Sequence, residues 1–235
     1  FAEQEECALK WEDSNVTLSV SNPNELQSLI AKNAVMLKIP AKTVFLEPGS
    51  KPEGVYYIAS GRTRHYMIAQ DGSEKILYTL SAGWFYGETP CALHDATRLF
   101  SKAEVPSVLY CIPDHKYEML LDESPLFREA ILLSYSQKMR ILRQEIANLV
   151  FTPCKDRLKR LYCSTADTSR VIDGGWYDLK INYTQYEIST IIGGARVTVS
   201  KLINELCTEG FIRVLNRKTQ INIQQYKQEI SDGRN

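Results

Sequence analysis

The chain has 235 residues, 44% hydrophobic and 24% charged, the composition of a soluble globular protein long enough for two domains. No apolar run approaches the roughly 18 residues of a membrane span, so no membrane partner is expected. The 28 basic residues equal the 28 acidic ones, which suits a nucleic-acid binder poorly, yet from Phe151 onward 13 basic residues face 9 acidic ones, against 15 and 19 before it. A mildly basic C-terminal part fits phosphate contact, while the acidic remainder limits indiscriminate adhesion. No signal peptide opens the chain and Phe1 points to a native start upstream, so the cytoplasm is the expected location.

Residues 35–113 read as short strands with frequent turn signals, among them Ser60-Gly61, Asp71-Gly72, Ala82-Gly83 and Tyr86-Gly87. Strands are predicted at 55–58, 63–68, 75–80 and 107–112, with Asp71-Gly72 as a hairpin turn. Many short strands argue for a small antiparallel barrel or roll. Helical periodicity then takes over: Ser124 caps, Pro125 occupies the first turn, and the pattern runs to about Phe151. Leu132, Tyr135, Met139, Leu142, Ile146 and Leu149 follow heptad spacing, which predicts a dimerisation helix, the alternative being a helix packed on its own domain. Pro153 marks a hinge before a further helix, roughly 154–164, and residues 168–176 read as a loop.

Thr184 to Leu206 is the most informative stretch. Ile188, Ile191 and Ile192 give a short helix one apolar face, Thr184 caps it, and Gly193-Gly194 stop it. In a second helix Val199, Leu202, Ile203 and Leu206 face inward, leaving Arg196, Val197, Ser200 and Lys201 outward near its N-terminal end. Two such helices around a short Gly-bearing turn are either ordinary core helices or a DNA-reading helix-turn-helix. The hairpin pattern behind them, 211–214 and 220–223 around a basic turn, supports the second choice, because it forms the wing of a winged helix. Arg217 and Lys218 at its tip are then candidate phosphate contacts, or else a solvated surface turn.

Little in the chain suggests chemistry beyond binding. Cys7, Cys91, Cys111, Cys154, Cys163 and Cys207 form no Cys-x-x-Cys pair, so neither a zinc ribbon nor a disulfide framework is evident. Cys91 and His94, read as sharing a loop, are candidates for haem or a metal, and a thiol such as Cys111 for redox sensing, although free cysteine is commonly a small buried hydrophobe. His65, His94 and His115 form no His-x-His pair, and no P-loop, Gly-x-Ser-x-Gly or paired-carboxylate motif appears. Neither an enzyme of the cupin type nor a bound cofactor or metal is therefore expected.

The order of elements, with Ile58-Ala59-Ser60-Gly61, Asp71-Gly72, the Leu80 to Glu88 run, Asn148-Leu149 and the Glu187 to Leu206 run, resembles the cyclic AMP receptor protein and FNR family of bacterial transcription regulators. The resemblance covers nearly the whole chain after about residue 25. It implies an α+β protein: an N-terminal segment and antiparallel β-roll effector domain (1–123), a dimerisation helix and hinge (124–152), and a winged helix-turn-helix (153–235). Its implied partners are double-stranded palindromic DNA, a small-molecule effector, a second copy of the chain, and RNA polymerase if it activates.

Departures from the family pattern bear on the ligand. In cyclic-nucleotide binders a Gly-Glu pair holds the ribose, matched by Gly87-Glu88, and an Arg followed by Ser or Thr neutralises the phosphate. Arg98 falls at the right distance, but Leu99 follows it. Leu142 and Arg143 stand where those binders place Thr and Ser. An effector site of Tyr78, Trp84, Tyr86, Gly87, Glu88, Arg98, Tyr135 and Lys138 is expected to suit a small apolar or aromatic molecule, with a cyclic nucleotide the alternative effector and core packing the alternative for each aromatic. Asp71 to Lys75 and Val197 to Ser200 are most similar to the branch regulating halorespiration, whose effectors are chlorinated phenols. On the DNA side, Val197 replaces a Glu common in the family. Valine cannot accept from cytosine but packs on a thymine methyl, so an A·T-rich half-site is expected, with Thr184 at the start of the first helix also in the DNA-binding set and Arg196, Thr198, Ser200 and Lys201 reaching bases or phosphates.

Overall fold

The computed structural model describes residues 20–70 and 72–232, leaving Phe1, Cys7 and Asp71 outside. The chain divides into two compact units meeting at Glu145/Ile146.

The first unit opens with helix α1 (Pro23–Asn33). Asn22 caps it by accepting from the Glu25 amide, Pro23 sits in the first turn, and Leu26 and Ile30 are buried one turn apart. Strands β1 (Val35–Ile39), β2 (Val44–Leu46), β3 (Gly54–Ser60), β4 (Arg62–Ile68), β5 (Glu74–Ser81) and β6 (Phe85–Tyr86) follow. Then come helix α2 (Glu88–Leu93), strands β7 (Phe100–Ala103) and β8 (Ser107–Pro113), and helix α3 (Asp114–Glu123). The strands form two antiparallel sheets, in the orders β1-β8-β3-β6 and β2-β7-β4-β5. Val55 to Ile58 are buried without alternation, as a central strand covered on both faces requires. The core runs from Leu26 and Ile30 through Ile58, Leu80, Trp84, Phe85, Leu109 and Ile112 to Phe127 and Ile131.

Each of the four predicted strands is present, as is the β4–β5 hairpin, whose register passes from Ile68↔Glu74 to Arg62↔Ser81 with a bulge between His65 and Tyr66. One reading needs correction: Cys91 and His94 do not share a loop, because Cys91 lies inside α2 and His94 is its left-handed C-cap. A six-residue helix is too short to show periodicity, so its sequence looked like loop.

Helix α4 (Pro125–Phe151) begins where expected, the Ser124 hydroxyl accepting from the Phe127 amide at 3.2 Å. Phe127, Ala130, Ile131, Ser134 and Lys138 form its buried face. Beyond Lys138 every residue of α4 is exposed or half-buried.

The second unit contains the end of α4, helix α5 (Cys154–Thr165), strand β9 (Trp176–Asp178), helices α6 (Gln185–Ile192) and α7 (Arg196–Thr208), strands β10 (Ile212–Leu215) and β11 (Lys218–Asn222), and helix α8 (Ile223–Asp232). Its sheet has the order β10-β11-β9. The expected loop at 168–176 leads into β9, whose three residues gave too little pattern to read. Arg213 of β10 stacks over the Trp176 ring at 4.5 Å and donates to Gln220, joining all three strands.

Candidate functional site

Inside the first unit, chemistry collects where the β5–β6 region meets α4. Gly87 has φ +85°, a conformation glycine adopts without strain, and the turn delivers Glu88 to the start of α2 with its side chain inward. Glu88 is only 1% exposed. Lys138 of α4, 7% exposed, donates from Nζ to Glu88 Oε1 and to the Phe85 carbonyl, both at 2.5 Å. The Ser134 hydroxyl, one turn earlier, donates to the same carboxylate oxygen at 3.2 Å. A buried carboxylate is tolerable only when so paired and hydrogen-bonded. Burial draws the Lys138 pKa below its ordinary value, opposed by the charge of Glu88 and its hydrogen bond.

Aromatic and neutral polar groups surround this pair. Lys138 Nζ lies 5.7 Å from the centre of the Tyr78 ring. The buried His65 ring meets Tyr78 at 5.2 Å and Tyr86 at 4.8 Å, and bonds Thr63 through Nε2 and Ser101 through Nδ1, each at 3.0 Å. Burial first, and the Lys138 charge second, push its pKa down to about 3, so the imidazole is neutral. Tyr86 stacks on Tyr56, and its buried hydroxyl has no hydrogen-bond partner. The Tyr135 hydroxyl is pushed up to about 12, by burial first and the charge of Glu88 next.

The structure thus brings together Tyr78, Tyr86, Glu88 and Lys138 of the expected effector residues, and Tyr135 feels the same carboxylate. Trp84 is buried in the core beside them in sequence, 1% exposed. Arg98 is not in the cluster: its side chain is exposed and pairs with Asp95 at 3.3 Å. Sequence reading missed Ser134 and His65. Ser134 lies four residues before Lys138, a spacing that places both on one helix face, and this signal could have found it. Thr63, two residues earlier on the same strand, is a weak local mark of His65, but the ring's other partner, Ser101, lies on a different strand.

The haem and thiol alternatives gain nothing here. The Cys91 thiol donates to Asp114 Oδ1 at 3.3 Å, and burial followed by that hydrogen bond pushes its pKa up to about 12, away from the thiolate a metal or oxidant needs. Among the described residues no group of three or more His, Cys, Asp and Glu is arranged to hold a metal ion. No helix among them is long and apolar enough to cross a membrane.

In the second unit, Thr184 caps α6 in a reciprocal capping box with Glu187, its hydroxyl accepting from the Glu187 amide at 3.2 Å while Glu187 accepts from the Thr184 amide at 2.8 Å. Gly193 ends α6 with φ +64°. A Cβ on Gly194 would stand 2.8 Å from Cys154 Sγ, so the turn closes directly on α5. Val199 and Leu206 of α7 are buried, while Leu202 and Ile203 are half-buried. Arg196, Val197, Thr198 and Lys201 are exposed, Val197 by 68%, and Ser200 is half-buried. The wing tip is tighter than expected. Asn216 and Arg217, both at positive φ, form the two-residue turn, and Lys218 already belongs to β11. Both basic side chains are exposed.

Residues 36–124 match the model of the cyclic nucleotide-binding domain, and residues 156–228 that of the Crp-like helix-turn-helix domain. The chain is 26% identical over 175 residues to the cAMP-activated global transcriptional regulator CRP of Pasteurella multocida, covering 72% of this chain and 81% of that protein. Among solved structures, the c-di-GMP responsive global regulator CLP of Xanthomonas campestris superposes with a TM-score of 0.70 at 18% identity, covering 85% of this chain and 99% of the other. The OCPA-complexed C200S form of CprK does so at 0.62 and 19%, covering 87% and 92%. At such identities the structural likeness speaks for the fold.

Proposed function

The chain belongs to the cyclic AMP receptor protein/FNR family of transcription regulators, with an effector-binding domain and a DNA-binding helix-turn-helix, and from that premise we propose that it is a homodimer controlled by a small aromatic effector and reads an A·T-rich palindrome. The observation that carries the DNA half is Val197. A valine 68% exposed in the first turn of a helix gains nothing from water, but its methyls suit a thymine C5-methyl. Arg196, Thr198, Ser200 and Lys201 are its partners on α7, Arg217 and Lys218 supply phosphate contacts from the wing, and Thr184 acts through its cap on α6. Selection of the full-length protein on random DNA should return an inverted repeat with A·T at the position Val197 meets. A G·C pair there, or a site without two-fold symmetry, overturns the reading.

The dimer rests on α4. Leu132, Met139 and Ile146 are 66%, 58% and 61% exposed, and Tyr135, Leu142 and Leu149 complete the heptad positions. Apolar side chains repeating this way along one helix are the seam of a helix pair, and a pair reads two half-sites about one DNA turn apart. Such a regulator, working in the cytoplasm, has no catalytic step and needs no metal. It would meet RNA polymerase only if it activates.

For the effector, Tyr78, Tyr86, Tyr135, Glu88 and Lys138 offer aromatic faces around one ion pair, and the unpartnered Tyr86 hydroxyl is a hydrogen-bond donor still to be used. Because Glu88 and Lys138 are buried against each other, an effector must part them or move α4, and either event ties binding to the dimer helix. A cyclic nucleotide is the second reading, favoured by the domain match and by Gly87-Glu88. Against it, Arg98 is occupied with Asp95 on the surface and Leu99 supplies no hydroxyl. Thermal-shift measurement with cyclic AMP, cyclic GMP and substituted phenols decides between them, since a ligand of the native state raises its stability. Stabilisation by phenols supports the aromatic reading, and stabilisation by cyclic nucleotides alone replaces it.

A further inference from the structure

Helix α4 ends at Phe151, and an arginine stands where its last carbonyls need partners. Arg157, half-buried in α5, extends its guanidinium between two helix ends. Nη1 donates to the Thr152 carbonyl at 2.6 Å and approaches those of Asn148 and Leu149 at 3.4 Å. On the other side Nε donates to the Ile192 carbonyl at 2.8 Å, and Nη2 lies 3.5 Å from that of Gly193. The first set closes α4, and the second closes α6 at the turn of the helix-turn-helix.

The chemistry favours this residue type. The last carbonyls of a helix lack intrahelical partners and carry partial negative charge, so one cation set between two C-termini is attracted by both. Only the planar guanidinium presents five donors in a fixed fork, whereas an ammonium offers a single point. The surroundings are stiff as well. Pro153 fixes the backbone at the start of α5, and Gly194 abuts Cys154.

We propose that Arg157 is a positioning residue that locks the last turn of α4 to the turn between α6 and α7, so that the recognition helix takes its direction from that last turn. This rests on the regulator reading above. Without the clamp each winged helix still binds a half-site, but the pair loses its fixed mutual orientation.

The test compares the full-length chain with Arg157→Gln and Arg157→Lys. By hydrogen exchange, Arg157→Gln should quicken exchange about tenfold in both segments 146–152 and 190–195 while leaving 211–223 unchanged. Arg157→Lys should keep one segment protected and release the other. On DNA, Arg157→Gln should bind an isolated half-site like the wild type but the two-half-site palindrome about tenfold more weakly. Faster exchange in one segment only with Gln, faster exchange throughout 154–232, or equal weakening on half-site and palindrome overturns the proposal. If the wild type itself fails to prefer the palindrome, the dimeric reading fails, and the paired exchange pattern alone judges Arg157.

Discussion

The interior of the roll and the first turn of α7 handle polar groups in opposite ways. Around Glu88 the charge is hidden and answered from within the chain: Lys138 and Ser134 occupy the carboxylate, and His65 is held neutral between Thr63 and Ser101. On α7, Arg196, Thr198 and Lys201 stand in water with an apolar Val197 among them, so little inside the protein is exchanged when a ligand arrives. A site of the first kind couples binding to rearrangement, because its groups must leave partners before taking new ones. A site of the second kind reads a surface as it stands. The first suits a switch and the second a reader.

Breaking the ion pair from one side should have the largest effect. Lys138→Met leaves a buried carboxylate alone and should cost roughly 3–5 kcal/mol in urea unfolding, whereas adding Glu88→Gln should restore most of it. Equal losses in single and double variants would mean that the pair is not what stabilises the region. Val197→Glu sharpens the other side of the comparison, since a carboxylate there accepts from cytosine. Preference should swing from A·T to G·C at that position by about 1–3 kcal/mol with folding unchanged, as competition binding would show.

The buried imidazole gives a smaller effect with a definite sign. His65 has a folded-state pKa of about 3, below the ordinary value of 6.5, so as pH falls the unfolded chain takes up a proton that the folded one refuses. Its contribution is complete above pH 6.5 and is lost on descending toward 3. Between pH 6.5 and 5 this amounts to about 2 kcal/mol, which His65→Gln should remove from the slope of stability against pH. An unchanged slope would show that His65 takes up its proton in the fold as it does in the unfolded chain. Thr184→Ala comes last, at about 1 kcal/mol of winged-helix stability for the lost cap, with base preference unaltered. A changed preference would make Thr184 a DNA contact rather than a cap.

How far each region could be read in advance follows from the range of its interactions. The capping box from Thr184 to Glu187, the Gly193 stop and the α7 pattern depend on neighbours within a turn or two, and they stand where the spacing put them. Strands with a buried run or a clear hairpin turn, such as β3 and the β4–β5 pair, were equally legible. Short β6, β7 and β9 were not, because each has few residues and is defined by partners distant in sequence, and helix α2 was not, because six residues show no periodicity.

The sequence by itself determined the order of roll, long helix and winged helix, the face of α7 turned outward and the residues available to it, since periodicity and capping act locally. Only the tertiary structure decided that Glu88 is paired with Lys138, that Arg98 is turned away to Asp95, that His65 is neutral, and that Arg157 bridges two helix ends. Charge pairing and burial depend on what the fold brings within a few ångströms, and the partners here, apart from Asp95 and Thr63, lie on different elements of the chain.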